Sequence, residues 1–323
     1  MAASVLAPRR VSLLLGYAAV YIVWGSTYLA LRYVVEALPP LVAAGARFLV
    51  AGAILYAFMR LRGTPAPNRR QWLIALMLGA FLLLGGNGGV MWAEQRISSA
   101  IAALLVASEP LWIVLLEWLR PRGTRPSRRM VIGLAIGFAG VVILVSPSGG
   151  EGVARVDLAG AAAVVLGAFF WAVGSLLSNK LPAGELPKSP IATSASQMLA
   201  GGALLFIVGA ARGELPLVTA EAFTPKVVFS IAYLIVFGSI VAFNTYAWLL
   251  RVEPPARVAT YAFVNPAVAM LLGWAIGGEP ITTMTLVAGA FIIVAVALIV
   301  TGSAKPGKPT ETARELATAE RAA

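Results

Sequence analysis

The sequence predicts an all-α polytopic membrane protein, with ten transmembrane helices arranged as two inverted five-helix repeats. Three observations predict it. The chain is 59% hydrophobic and only 12% charged, against about 25% charged residues in an ordinary soluble domain. Its apolar stretches run to about 20 residues, the length that crosses the hydrocarbon core of a bilayer. One of those stretches also recurs. Residues 100–119, AIAALLVASEPLWIVLLEWL, become residues 256–275, ARVATYAFVNPAVAMLLGWA, on a shift of 156 positions.

The candidate helices cover 11–31, 40–59, 71–92, 98–118, 128–146, 157–179, 190–210, 226–249, 255–277 and 280–302. The first follows Arg9 and Arg10. Its apolar run exceeds the roughly 7–15 residues of a signal-peptide core, and no small-residue cleavage site follows, so it is expected to be a retained span. It carries Tyr17, Tyr21, Trp24 and Tyr28 at spacings of 4, 3 and 4, which place them on one face. Such a stripe can line a cavity for an aromatic or cationic substrate. It can equally serve helix packing or an interfacial belt. Trp24, deep in the span beside Ser26 and Thr27, is the best binding candidate of this face.

The second helix contains Arg47 among Ala43, Ala44, Gly45, Ala46 and Gly52. Small residues let neighbouring helices approach closely. Arg47 can bind a substrate carboxylate, or it can snorkel outward or pair with Glu36, Glu94 or Glu109. The third helix contains GGNGGVMWAEQ at 85–95. Its glycines around Asn87 permit either a flexible polar wall or tight packing. It is no phosphate loop, because no Lys and Ser/Thr follow at the required spacing. Glu94 and Arg96 are expected to be interfacial capping or pairing groups.

The fourth helix is the centre of the reading. Glu109 stands at membrane depth, where a carboxylate costs about 2.5–3.5 kcal/mol on insertion scales and so faces protein or water. Pro110 removes a backbone donor and is expected to kink the helix there. Glu109 can bind a cationic group, exchange a proton, or form a static pair with Arg47. Glu117, three residues before Arg120, is expected to form an interfacial ion pair. In the second half, Pro266 stands where Pro110 stood, and Asn265 where Glu109 stood. Two proline-broken helices in matching positions point to a transporter's binding site. Weaker matches align Trp24 with Trp171, Gly52 with Gly202 and Gly133 with Gly289. Around these lie Ser175 on the sixth helix, Gln197 on the seventh as the counterpart of Arg47, Asn244 on the eighth and Tyr261 on the ninth. Tyr261 precedes Asn265 by one turn, on the same face. Glu279-Pro280, at the turn into the tenth helix, can cap a helix start.

Domain boundaries follow. Residues 1–10 are expected to form a cytoplasmic N-terminus, 11–146 a first repeat, 147–156 a connecting loop, 157–302 a second repeat and 303–323 a disordered or surface-lying cytoplasmic tail. With both termini inside, 19 of the 25 Lys and Arg residues fall on the cytoplasmic side and 5 on the other, Arg47 being intramembrane. This is the positive-inside pattern. Five helices per repeat is an odd number, so the two halves are inverted.

The strings YIVWGSTYLALRYVVEALPPLVAAGARFLVAG (21–52), FGSIVAFNTYAWL (237–249) and ATYAFVNPAVAMLLGWAIGGEP (259–280) resemble the EamA family of the drug/metabolite transporter superfamily. They are similar to its bacterial inner-membrane exporter branch. The resemblance covers roughly 11–302. It implies secondary export of small metabolites, amino-acid-like compounds or drugs across the inner membrane. It also implies a central cavity lined mainly by helices 1–4 and 6–9, with 5 and 10 more peripheral. No Walker motif is present, so energy is expected to come from a gradient or from exchange, with protons as a candidate coupling ion.

Other classes fare worse. The net charge of +11 would suggest nucleic acid in a soluble protein, but here it belongs to the loops. The chain has no cysteine and no histidine, which excludes disulfides, Cys/His metal sites and imidazole catalysis. A single aspartate, Asp157, excludes aspartate-dyad chemistry. No cofactor is expected, and an intramembrane enzyme is disfavoured. A sensor would call for a seven-helix layout or an output domain. A carrier of lipid or lipid-linked substrate stays open as the alternative within transport.

Overall fold

The computed structural model describes residues 3–120, 123, 125–145, 156–182 and 184–302. The connecting loop between the expected repeats and the C-terminal tail lie almost wholly outside the described residues. Among the described residues every regular element is helical. Seven helices are long and apolar enough to cross a bilayer: α1 (Val11–Val35), α2 (Pro40–Leu61), α3 (Arg69–Ala93), α4 (Ser99–Leu119), α6 (Leu158–Lys180), α7 (Pro190–Ala211) and α8 (Pro225–Val252). Three more are shorter or less regular: α5 (Arg128–Val145), α9 (Tyr261–Ala275) and α10 (Thr283–Gly302).

Burial is arranged for lipid rather than water. Leu14, Leu73, Phe229 and Trp274 point outward, while Arg47, Glu109, Ser194, Ser196 and Gln197 are buried. Polar groups inside a membrane protein gather where other protein can satisfy them. Helix starts are set by local chemistry. The Asn68 side chain accepts from the Gln71 amide at 2.9 Å and Gln71 accepts from the Asn68 amide at 3.1 Å, a reciprocal cap for α3. Asp157 caps α6 through the Gly160 amide at 2.6 Å. Pro40, Pro190 and Pro225 occupy first-turn positions, where no amide donor is required.

Small residues decide which helices touch. A Cβ on Gly45 of α2 would lie 2.6 Å from the Phe206 amide nitrogen of α7, and one on Gly79 of α3 would lie 2.7 Å from that of Gly201. Helix α7 therefore packs backbone-close on both α2 and α3. Helices α5 and α10 pair in the same way: a Cβ on Gly133 would lie 2.8 Å from the Ala295 carbonyl oxygen.

Several spans are irregular. Wider π-helical turns occupy Val20–Trp24 in α1, Ala80–Gly88 in α3 and Leu234–Phe243 in α8. Helix α4 is regular over Ser99–Val106 and Glu109–Leu119 and tightens between them. There the Ser108 amide donates to the Leu105 carbonyl and the Leu111 amide to the Ser108 carbonyl, both at 3.0 Å. Pro110 begins the second segment, where its missing amide is harmless. The expected match with Pro266 holds only in part. Pro266 rides inside α9, and the chain tightens earlier, at Ala259-Thr260, after a helical turn over Pro255–Val258. Helix α9 thus starts later than the 255–277 stretch implied, and α10 starts at Thr283 rather than residue 280. Between them Gly278 takes φ +66°, a left-handed turn that glycine adopts without strain.

Candidate functional site

A partly open cavity lies between α1, α2, α3, α4, α6, α8 and α9. Of the twelve binding or coupling candidates, nine line it: Trp24, Thr27, Tyr28, Arg47, Asn87, Glu109, Trp171, Tyr261 and Asn265. Helices α5 and α10 contribute nothing to the wall. Neither does α7, contrary to expectation, because its glycine face is spent on α2 and α3.

At one side stands Glu109, fully buried at the start of the second segment of α4. The Tyr261 hydroxyl donates to Glu109 Oε2. Glu109 Oε1 has no hydrogen-bond partner among the described residues. The Arg47–Glu109 pair considered from the sequence is not formed.

Around the carboxylate is a cluster of four aromatic rings. The Trp24 ring centroid lies 5.5 Å from Trp171, 4.9 Å from Tyr246 and 5.2 Å from Tyr261. The cluster is held by hydrogen bonds that fix ring orientation. Trp24 Nε1 donates to the Gly238 carbonyl at 3.2 Å, and Trp171 Nε1 donates to the Tyr246 hydroxyl at 2.9 Å. Tyr246 and Ser175 share a 2.5 Å hydrogen bond, and Ser175 Oγ donates to the Trp171 carbonyl at 2.7 Å. Ser175 is therefore a support behind the wall rather than part of it.

Sequence reasoning missed Tyr246, which is buried within this cluster. The available signal was its place in the polar, aromatic run FNTYAW at 243–248. The stripe on α1 divides. Trp24 and Tyr28 face the cavity, while Tyr17 and Tyr21 pack on each other at 5.8 Å and Tyr21 bonds Thr260 at 2.5 Å. The π turn between them breaks the regular spacing on which the single face depended.

Arg47 forms the second polar pole. It is buried, and its Nη2 donates to Asn87 Oδ1 at 3.4 Å. Its guanidinium carbon lies 4.1 Å from the Phe48 ring centroid. Among the described residues Nε has no hydrogen-bond partner, and no carboxylate lies within ion-pairing distance. Pairing with Glu36, Glu94 or Glu109 is thus replaced by an amide and a ring. Asn265, with its amide turned so that nitrogen donates, reaches the Tyr21 carbonyl at 2.8 Å and the Tyr261 carbonyl at 3.3 Å. It ties α9 to the π turn of α1.

The remaining candidates lie elsewhere. Gln197 is buried on α7, away from the wall. Asn244 accepts from Ser194 Oγ at 3.0 Å between α8 and α7. Glu117 pairs with Lys180 of α6 rather than with Arg120. Glu279 caps α4 instead of its own helix, accepting from the Ser99 amide at 3.0 Å, Ser99 Oγ at 2.9 Å and the Ala100 amide at 3.2 Å. Arg96 stacks 3.8 Å from the Trp92 ring centroid rather than pairing with Glu94. Among the described residues no cluster of three or more acidic, His or Cys side chains forms a metal site.

The sequence model of the EamA-like transporter family matches the chain twice, at residues 11–146 and 158–301. The chain belongs to the EamA-like transporter family. The transporter is 39% identical over 295 residues to "Uncharacterized inner membrane transporter YedA" of Escherichia coli (strain K12), covering 90% of this chain and 92% of that one. It is 28% identical over 280 residues to "Protein PecM" of Dickeya dadantii (strain 3937), covering 86% and 88% of the two chains. A solved crystal structure with 23% identity superposes at a TM-score of 0.62 over 95% of this chain and 99% of that chain, a likeness of fold. A multi-pass membrane transporter handling small molecules is what these relationships establish.

Proposed function

We propose that the transporter is a proton-coupled secondary exporter whose substrate binds in this cavity by its charged ends. The observation that carries the reading is that two buried, opposite charges face one cavity, each with an atom left unpartnered: Glu109 Oε1 and Arg47 Nε. Unpaired buried charge costs several kcal/mol, so such groups are kept where a ligand or proton completes them. A cationic group fits between Glu109 and the faces of Trp24, Trp171 and Tyr261. An anionic group fits Arg47 and the amide of Asn87. The substrate class is therefore a small amphipathic zwitterion or cation. A proton on Glu109 and the substrate's cationic group exclude each other, which is the exchange an antiporter needs.

We further infer ten membrane-crossing helices, with α1–α5 and α6–α10 in opposite orientations and both termini in the cytoplasm. The twofold family match, the recurrence of residues 100–119 and the distribution of Lys and Arg support this. Transport then proceeds by alternating access around the cavity, with the π turns of α1, α3 and α8 as sites of adjustment. The test is a resistance screen of overproducing cells against toxic amino-acid analogues and cationic dyes, with and without a protonophore. Protonophore-sensitive efflux, lost in Glu109→Gln, is expected. Efflux indifferent to both would overturn the reading.

A further inference from the structure

Glu94 is used by nothing described so far. It follows α3 directly, one turn beyond the cavity-lining Val90, to whose carbonyl its amide donates at 3.0 Å. It is only 2% exposed, yet Gln95 and Arg96 beside it are open to solvent. Neither Glu94 oxygen accepts a hydrogen bond from a described residue. A carboxylate left in that state loses its hydration without compensation.

The charged and titratable groups that act on it are Arg32 and Tyr28 of α1, Arg47 of α2, and Glu279 before α10. Two of these are already committed to each other. Arg32 Nη1 lies 3.4 Å from Glu279 Oε1, Arg32 Nε binds Glu36 at 2.9 Å, and Glu279 caps α4. What remains is one carboxyl, Glu94, and one guanidinium, Arg47, within electrostatic reach and not in ion-pair contact. Burial is the main influence on the Glu94 carboxyl and raises it, with Glu279 raising it further and Arg32 and Arg47 opposing.

We propose that Glu94 is a second proton site, and that its occupancy sets whether Arg47 is available to an anionic group in the cavity. The step is a simple protonation: one proton from water adds to one Glu94 oxygen, no other bond changes, and the local charge rises by one. Ionised Glu94 balances Arg47 through space. Protonated Glu94 leaves the guanidinium uncompensated, and an anion at Arg47 then gains. Tyr28 lies within the field of both Glu94 and Glu109. The significance for transport rests on the cavity being the substrate site, whereas the titration itself needs no substrate.

The test uses the purified full chain in lipid nanodiscs, carrying Glu109→Gln so that Glu109 does not contribute. The infrared carboxyl C=O band is followed between about pH 4 and pH 9. A band titrating above the usual carboxylate range, absent after adding Glu94→Gln, is expected. Adding Arg47→Gln instead should move that band's midpoint up by about one pH unit, because an opposing cation has been removed. Reciprocity then makes the anion affinity at Arg47 change about tenfold on protonation.

Thermal unfolding supplies an independent readout. A carboxyl raised in the folded state stabilises the fold at low pH, and that stabilisation disappears as pH rises through its raised midpoint. The pH slope should therefore flatten in Glu94→Gln. A band that survives Glu94→Gln overturns the proton site, and a midpoint unmoved by Arg47→Gln overturns the coupling. Should Glu94→Gln not fold, the Arg47→Gln shift decides alone. Because the Glu109→Gln background exports nothing on the proposed function, failure of that function and failure of this site are read in separate assays.

Discussion

The Tyr261 hydroxyl donates to Glu109, joining α9 to α4 at the cavity wall and leaving the other carboxylate oxygen buried without a hydrogen-bond partner among the described residues. One oxygen is held so that the other is presented in a fixed direction, which is how a binding site limits reorganisation when its ligand arrives. Removing the hydroxyl with Tyr261→Phe leaves the ring and takes away the donor. A hydrogen bond to a charged group contributes about 1.5–3 kcal/mol. Tyr261→Phe should weaken substrate affinity by about tenfold or more, and Glu109→Gln should abolish proton-driven export. Efflux and binding measured at several pH values check both.

Arg47 and Asn87 define the other pole. Arg47→Gln keeps hydrogen-bonding capacity and removes charge. Substrates bearing a carboxylate should lose about tenfold or more in apparent affinity, the range of a charge-assisted hydrogen bond. Cationic substrates without a carboxylate should be little affected. Competition assays with an amine and its carboxylated analogue separate the two. Equal losses for both would place Arg47 in the structure rather than in recognition.

The close packing of α7 is open to a direct test. A Cβ at Gly45 meets backbone, the Phe206 nitrogen at 2.6 Å, whereas one at Gly289 meets the tip of Leu104 at 3.2 Å. Backbone cannot give way and a leucine methyl can. Gly45→Ala should cost about 1–3 kcal/mol, in the range for overpacking, and Gly289→Ala should be near neutral. Thermal unfolding in detergent compares them.

Two carboxylates cap helices that are remote in sequence. Glu279 receives three donors from the start of α4, and Glu214 receives the Leu41 and Val42 amides of α2 at 2.9 Å each. Glu279→Ala and Glu214→Ala should each lower stability by about 1–2 kcal/mol, as for loss of a helix cap. Glu279→Ala should also release Arg32 from its second partner. Hydrogen exchange at the first turns of α4 and α2 reports the local fraying.

Much of the site was legible because membrane segments expose their exceptions. Arg47, Glu109, Asn87 and Asn265 stand out in apolar runs, and all four reach the cavity. Trp24 and Trp171 were marked by the repeat and also meet there. Tyr246 was not, because a tyrosine among apolar and aromatic neighbours reads the same in a packed core, a belt or a cavity wall. Gln197 was overread for the opposite reason. Its polarity marks burial within protein, yet its helix is turned by glycine contacts toward α2 and α3.

The sequence by itself determined the membrane class, the lengths and starts of most spans, the recurrence that links α4 to α9, and the family. These depend on composition and local periodicity, which are written along the chain. Only the tertiary structure decided which charges meet. Arg47 faces Asn87 and Phe48 instead of a carboxylate, Glu109 is held by Tyr261, and the Glu94 carboxylate is buried with no hydrogen-bond partner among the described residues. Pairing in a membrane depends on helix rotation and close approach. Those are set by where glycine lets backbones touch and where a π turn shifts the register, and neither is visible until the helices are packed.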